Sequence, residues 1–428
     1  MSPRYIFRLI QAFFKRFKAI IFLGFVFGII VFLFLSFLLP SMISEKQKIG
    51  IAGRYTVDNL PPVIATKISD GLTKTDENGN VIPSIAKSWQ TTDGGKTWIF
   101  TLDENVTWQD EKKVLASEIK YEFNDAQVSV VDEQTIVFSL DSQFTAFPVI
   151  VSKPVFKKGL LGTGEWEVKD VSLAGGYVQN ITLQNKEKDR LVYKFFPSEE
   201  RLILGFKLGE IDIIERINDV SSFEGWKTIE IDKNTSFDNF VGIFLNTDNE
   251  KLAEKAVRQA LNYAIDKDQY ENRALGPISP FSWGYNPQVK PYIKDATKVE
   301  EIKGINLKIS VLPNLYRIAE SISKEWQDHG ANTEVEIVTT IPENYEVFLA
   351  TVDIPKDPDQ YSLWHSTQSE TNISKFKNVR VDKLLEDGRT ELDQETRKKL
   401  YLDFQRFLVE EVPAIFLYYP EYYKVTRK

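Results

Sequence analysis

DGLTKTDENGNVIPSIAKSWQTTDGGKTWIFTLDENVTWQD, residues 70–110, is the stretch whose reading decides the fold. Two hairpin-like units are written into it. One turns at 77–80 (ENGN) and the other at 93–95 (DGG), and β-formers flank both. Asn-Gly and Asp-Gly supply the positive-φ residues that tight hairpin turns require. No catalytic chemistry is visible in the stretch, so it predicts antiparallel sheet and nothing more.

The chain has 428 residues. About 380 follow the N-terminal segment, enough for two or three domains around separate cores. Its net charge of −8 is unevenly spread. Residues 1–18 hold Arg4, Arg8, Lys15, Arg16 and Lys18 and no acid, and residues 19–44 hold no charge. The other 48 basic and 61 acidic side chains leave the remainder at −13. That balance argues against nucleic acid, which calls for a basic footprint. The 29 Phe, 17 Tyr and 8 Trp fit either large cores or a stacked ligand cleft. With no cysteine in the chain, disulfides, thiolate metal sites, cysteine nucleophiles and a lipidated-cysteine tether are all excluded.

Residues 19–39 (AIIFLGFVFGIIVFLFLSFLL) are 21 uncharged residues with one hydroxyl, Ser36. As a helix they span about 31 Å, the thickness of a hydrocarbon core. Secretory h-regions run to about 7–15 residues, and the exit LLPSMISEK is a poor cleavage site. The basic residues before the span place the N-terminus in the cytoplasm. The reading is a single uncleaved transmembrane anchor in the cell membrane carrying an extracytoplasmic ectodomain. A cleaved signal peptide is the competing reading. Residues 40–48 follow as a tether.

Further along, 114–124 (VLASEIKYEFN) spaces Leu115, Ile119 and Phe123 as one face of a helix, and 128–140 alternates as strands. A helix at 198–208 stops at Gly209, and GEIDII follows as a strand. Residues 239–246 are an apolar strand. Residues 249–266 carry two apolar rows at helical spacing. A strand at 307–312, a helix at 314–329 ending at Gly330 and a strand at 333–338 make a βαβ unit with parallel strands. Residues 346–353 form a strand, 381–387 and 394–411 form helices, and 414–419 (AIFLYY) form a last strand.

The wording of 70–110 resembles the extracytoplasmic solute-binding proteins of peptide and nickel ABC importers. Gly71-Leu72, Asp76, Gly79, Pro83, Ala86, Ser88-Trp89, Asp93-Gly94, Thr97-Trp98, Phe100 and Leu102 stand in the family's order and spacing. Residues 198–214 and 249–270 resemble further family phrases. The resemblance implies an α/β, two-lobed periplasmic-binding-protein-like fold of type II, peptide-binding class, here preceded by the one transmembrane helix. Lobe I would span 49–238, with a trimmed accessory subdomain near 70–160. Lobe II would span 239–412, and 413–428 would return to lobe I. Two strands near 234–246 and 410–418 would cross between the lobes and let them close on a solute like a hinge.

Candidate site residues come from both routes. DKDQY (266–270) and DIPKDPDQY (353–361) cluster carboxylates, which suit acid–base work, Ca²⁺ or capped turns. In the family, the loop after the 346–353 strand lies at the cleft, and an Asp three residues before Asp-Pro pairs with a peptide amine. Here that position is Ile354, and the nearest carboxylates are Asp353 and Asp357. Tyr361, Trp364 and His365 follow at once, as cleft or core residues. Trp283 and Tyr285 lie in a Gly/Pro-rich loop, where pocket lining and local packing are both open. His329 reads as a helix-end residue. With two histidines and no cysteine, no metal cage or cofactor is expected. No G-x-S-x-G, H-E-x-x-H or phosphate-loop motif occurs.

The resemblance implies a binding component, not an enzyme. It would take an oligopeptide-like solute between its lobes and deliver it to ABC permease subunits, held to the bilayer through residues 19–39. A receptor or scaffold that has lost its transporter and a tethered, carboxylate-dependent hydrolase are the alternatives.

Overall fold

The computed structural model describes residues 46–428 and, ahead of them, 16–18, 23–25, 27–29 and 32. Apart from these positions, the expected basic tail, the membrane span at 19–39 and the tether up to residue 45 lie outside the described residues. Among the described residues no helix is long and apolar enough to cross a membrane.

Strand β1 (Lys46–Ala52) begins inside the expected tether and enters the middle of a seven-stranded sheet, burying Ile49 and Gly50. Helix α1 (Pro62–Ile68) opens on a proline, where a missing N–H goes unnoticed. The chain then leaves for an accessory region. β2 (Thr73–Thr75) and β3 (Val81–Pro83) pair as the first predicted hairpin. Asp76 accepts from the N–H groups of Asn78 (2.9 Å) and Asn80 (2.8 Å), and Gly79 takes the positive φ of 79° that the turn demands.

The second hairpin joins β4 (Ala86–Gln90) to β5 (Thr97–Leu102), its turn held by Asp93, which accepts from the Thr97 N–H at 2.7 Å. With β6 (Ala126–Val130) and β7 (Thr135–Leu140) these strands form an antiparallel sheet in the order β4-β5-β7-β6. Trp98, Phe100, Ile136 and Phe138 alternate onto its inner face and pack with Leu72, Trp108 and Phe147 of helix α2 (Phe147–Ile150) as a separate core.

The helix expected at 114–124 is absent: only Ala116–Glu118 turns, as a single 3₁₀ turn. Tyr121 and Phe123 stack 5.6 Å apart at a two-residue spacing, which extended backbone allows and a helix does not. The Tyr121 hydroxyl lies 2.7 Å from the Val151 carbonyl, and the Glu118 carboxylate takes the Trp108 indole N–H at 2.7 Å. These long-range bonds override the helical spacing of the apolar residues.

β8 (Glu167–Ala174), β9 (Tyr177–Gln184) and β10 (Arg190–Phe196) bring the chain back as a meander, with β10 parallel to β1. Helix α3 (Glu199–Lys207) starts at a Ser198 cap and stops at Gly209, φ 77°. β11 (Ile213–Ile217) and β12 (Ile229–Thr235) follow, and residues 236–238 cross to a second body.

There β13 (Asn239–Leu245) is followed by α4 (Lys255–Tyr263) and then by the expected βαβ unit of β14 (Asn306–Val311), α5 (Tyr316–Asp328) and β15 (Asn332–Ile337). β16 (Val347–Asp353), α6 (Tyr361–Trp364), α7 (Val379–Thr390), α8 (Gln394–Glu411) and β17 (Ala414–Tyr418) complete this body, whose sheet order is β15-β14-β16-β13-β17. β18 (Glu421–Arg427) inserts between β12 and β11 of the first sheet.

Two sequence expectations change here. The helix read at 249–266 is confined to α4, because Arg258 takes the carbonyls of Leu252 (2.8 Å) and Ala253 (2.7 Å) that a longer helix would bond internally. The strand at 414–419, expected to carry the chain home, instead pairs with β13. The return falls at 419–420, later than the expected 410–418, and β18 makes it. The two crossings are tied together. The Ser236 N–H donates to the Pro420 carbonyl at 2.8 Å, and the Phe237 and Tyr419 rings lie 5.1 Å apart.

Candidate functional site

The loop leaving β16 is fixed at the first crossing, where the Ile354 N–H donates to the Asp238 carbonyl at 2.7 Å and the Ile354 side chain is buried. From there the loop runs beneath the accessory region. Asp353, exposed at the strand end, stands opposite Asn239. Asp357 is buried and gives both carboxylate oxygens to the Arg397 guanidinium, at 2.9 and 2.5 Å. Arg397 also donates to the Gly388 carbonyl (2.8 Å) and the Tyr401 hydroxyl (3.1 Å). Burial opposes the Arg397 charge, but Asp357 and Tyr401 outweigh it and hold its pKa above the ordinary arginine value. Asp359 faces Arg389 at 3.2 Å; burial dominates there and raises its carboxyl above the usual range.

Tyr361 is half-buried and stacks on His365, centroids 4.0 Å apart. His365 is itself buried, with Nδ1 2.8 Å from Thr367 Oγ1 and Nε2 3.4 Å from Glu386. Trp364 lies in the core of the second body against Phe244 and Phe416. Trp283 and Tyr285 are half-buried on the 276–286 loop. The Trp283 indole meets Tyr401 edge-on at 5.9 Å and lies 5.3 Å from the Arg397 guanidinium carbon.

The accessory region closes over this loop. The Trp283 N–H donates to the Asn78 carbonyl (3.1 Å), the Gln394 amide to Asn80 Oδ1 (2.9 Å) and the Thr145 N–H to the Arg389 carbonyl (2.9 Å). Gly79, where the positive φ of the turn requires glycine, lies against the second body, and an added Cβ there would stand in van der Waals contact with the Lys356 carbonyl at 3.4 Å. The Arg389 guanidinium carbon lies between two rings, 4.6 Å from the Phe144 centroid and 4.4 Å from that of Tyr361, one ring from each body.

Between the two bodies remains a cavity of about 250 Å³, walled by Trp89, Trp98 and Trp283 and floored by Asp357 and Arg397, with Glu391 also lining it. Of the sequence candidates, Trp283 and Asp357 line it. Tyr361 belongs to the neighbouring clamp, and Trp364 and His365 pack behind it. The charged floor is a bidentate pair, so the walls offer indole faces above a neutralised base. Such a site can cover apolar surface and hydrogen-bond a polar solute. Among the described residues no group of three or more His, Asp or Glu could hold a metal ion.

Sequence reasoning did not name Arg397, Arg389, Trp89 or Trp98 as site residues. A signal for the first was present: Arg397, Tyr401, Phe404 and Leu408 follow helical spacing, and a charge on such an apolar row needs a buried partner.

The arrangement defines a two-bodied binding fold with the site at the junction. The profile of the bacterial extracellular solute-binding proteins, family 5 (middle region), matches residues 80–372, and the chain belongs to that family. Among its relatives, the oligopeptide-binding protein AppA of Bacillus subtilis strain 168 is 22% identical over 86% of this chain and 83% of its own length. The dipeptide-binding protein of Escherichia coli K12 is 24% identical over 81% and 82%. Among solved structures, NikZ from Campylobacter jejuni in complex with Ni(L-His) superposes with a TM-score of 0.72 at 23% identity, covering 90% of this chain and 94% of that one. The protein is a solute-binding protein with the α/β fold of this class.

Proposed function

We propose that the chain is the membrane-anchored solute-binding component of an ABC importer, holding a short peptide between its two bodies and presenting it to permease subunits. In this reading lobe I comprises 46–235 and 421–428, lobe II comprises 239–418, and 19–39 is the anchor. The observation that carries it is the indole-walled cavity between the accessory hairpins and the 353–365 loop. Peptide side chains are largely apolar surface flanked by amide dipoles, which suits indole faces with backbone groups at the rim. The names of the oligopeptide- and dipeptide-binding relatives support the same class of solute. The pairing of Asp357 with Arg397 and of Asp359 with Arg389 supports binding over hydrolysis, since neither carboxylate is left to act as base or nucleophile. Ile354 in place of the family's amine-pairing Asp supports a solute held by rings and backbone more than by one acid.

The test is native mass spectrometry of the full chain extracted in detergent, followed by calorimetry with the peptides recovered. A co-purifying peptide that rebinds with one-to-one stoichiometry is the expected result. A chain that binds no member of a di- to nonapeptide library would overturn the reading.

A further inference from the structure

The first sheet has two unlike ends. At one, β12 runs out into the first crossing and β18 comes in from the second. At the other, β1 begins at Lys46, and the strand registers gather four more segments beside it. Arg190 of β10 pairs with Lys46 across the parallel ladder, and the turn before it carries exposed Lys186 and Lys188. The Asp212 N–H, just before β11, donates to the Lys48 carbonyl at 2.8 Å. The Arg427 and Lys428 N–H groups, where β18 finishes, donate to the Asp212 and Thr228 carbonyls, each at 2.9 Å. Lys207 closes α3 shortly before β11. Its ammonium lies 5.6 Å from the Phe223 ring, on which Trp226 packs at 5.7 Å.

This end differs in charge from the rest of the chain. Segments 46–48, 185–190, 207–212, 226–228 and 427–428 hold nine basic and four acidic side chains, a surplus of five cations. Residues beyond 44 sum to −13, so those outside these segments sum to −18. Among the described residues none of the nine basic side chains has an ion-pair partner. Two of the four acids are engaged: Glu210 is met by Lys194 at 3.8 Å, and Asp189 takes the Asn185 amide at 3.0 Å. Large apolar side chains are exposed in the same place. Leu208 is 68% exposed, Leu204 one turn back is 43% exposed, and Trp226 is exposed beside Lys227. Tryptophan and leucine among unpaired cations make a membrane-interface surface, in which rings and aliphatic chains enter the headgroup layer and cations meet phosphate.

In the anchored reading this is also the end nearest the bilayer. Only residues 40–45 separate the apolar run 19–39 from Lys46, and a fully extended chain of that length reaches no more than about 24 Å. We propose that this basic end of the first body docks on the anionic phospholipid headgroups of the membrane that holds the chain. Headgroup phosphates supply the counter-charge that the cations lack within the protein, and Leu208 and Trp226 seat the surface. β12, seven residues long, leads from this end to the first crossing. At about 3.3 Å per residue it lifts the crossings roughly 20 Å clear of the lipid. The first body is then held and the second is left to swing. The orientation rests on the anchored reading; the lipid-binding surface rests on its charge and exposed apolar side chains alone.

The chain has no cysteine, so a single introduced one carries a label at one place. The full chain is reconstituted in vesicles of phosphatidylcholine alone or mixed with phosphatidylglycerol, both containing a lipid-borne quencher. A fluorophore on the cysteine of Thr228→Cys, an exposed position, is expected to be quenched roughly threefold more on the anionic vesicles at low salt. The excess should vanish at about 500 mM salt, which screens exposed charge, and in the triple variant Lys186→Glu, Lys188→Glu, Lys227→Glu. A label on the cysteine of Val379→Cys, on the second body, should respond to neither lipid nor salt. Equal quenching of the Thr228→Cys label on both lipids, or an excess that survives charge reversal, overturns the proposal. Flotation with phosphatidylcholine vesicles at high salt reports the anchor by itself. If the chain fails to float there, the anchored reading falls. The surface then stands if low-salt flotation on the anionic vesicles is lost on charge reversal, and falls if it is not.

Discussion

Arg397 holds both carboxylate oxygens of Asp357, at 2.9 and 2.5 Å, and the pair forms the floor of the cavity between the two bodies. The position at which the family resemblance implies a solute-pairing carboxylate is the buried Ile354, and the nearby Asp357 carboxylate is committed to a neighbouring helix. The pair joins the 353–365 loop to α8 and so sets the height of the loop beneath the accessory hairpins.

Removing Asp357 should therefore act on stability before affinity. Asp357→Ala leaves a buried guanidinium without its partner, which costs about 3–5 kcal/mol. The double variant Asp357→Leu with Arg397→Met should recover most of that loss, because no buried charge is stranded. Urea unfolding of the three proteins checks it. A single variant with an unchanged midpoint but weakened peptide binding would show instead that Asp357 serves the solute directly.

The Arg389 clamp should govern how firmly the bodies close. Its guanidinium is layered between Phe144 and Tyr361, and its carbonyl accepts from the N–H and hydroxyl of Thr145 (2.9 and 3.0 Å). Phe144→Ala removes one layer while leaving the Asp359 pair in place, a loss of roughly 0.5–2 kcal/mol from the closed form. Small-angle scattering without peptide should show a larger radius of gyration than for the parent, and saturating peptide should restore the compact form. An unchanged radius would remove the clamp from the account of closure.

Much of the fold was legible because it is local. Asp76, Gly79 and Asp93 bond within four residues of themselves, so the two hairpins could be read from 70–110 alone. The βαβ unit announced itself through periodicity. What escaped was non-local. The failed helix at 114–124 is decided by Tyr121 reaching Val151, and the shortened α4 by Arg258 drawing back carbonyls that precede it. The site divides the same way. Trp283 and the 353–357 loop were legible as segments. The indoles of Trp89 and Trp98 face them only after the chain has crossed between bodies, and no spacing records that meeting.

Trp283→Ala should weaken peptide binding by about 1–3 kcal/mol, a loss of aromatic cover rather than of charge. Trp283 stands at the boundary of both bodies, through its N–H to Asn78 and its ring against Tyr401. The ranking of acidic, neutral and basic peptides should stay as in the parent, since Arg397 and Asp357 remain paired. Calorimetry across three peptides of equal length tests this. A reordered ranking would place charge selection on the indole's position.

Lys267 should make the second body more stable as pH rises. Its side chain is buried and lies 2.6 Å from the Asn262 carbonyl and 3.1 Å from that of Ile265, two acceptors that a neutral amine can satisfy with two N–H groups. Burial first, and the nearby Arg273 charge second, lower its pKa to about 7 from 10.5. Below about pH 7 the lysine is protonated both folded and unfolded, and the folded state carries the full cost of a buried charge. Between there and 10.5 the unfolded chain keeps its proton while the folded one has released it, so stability climbs with pH through that window. The gain from pH 7 to 9 should be about 2 kcal/mol. Lys267→Met keeps the apolar stem and removes the titration. The variant should be more stable than the parent at pH 6, with the difference shrinking toward pH 9. Thermal unfolding of both proteins at pH 6, 7.5 and 9 measures it. Parallel curves across that range would mean that Lys267 stays charged in the folded protein, its burial offset by Asp266, Asp268 and Glu325 nearby.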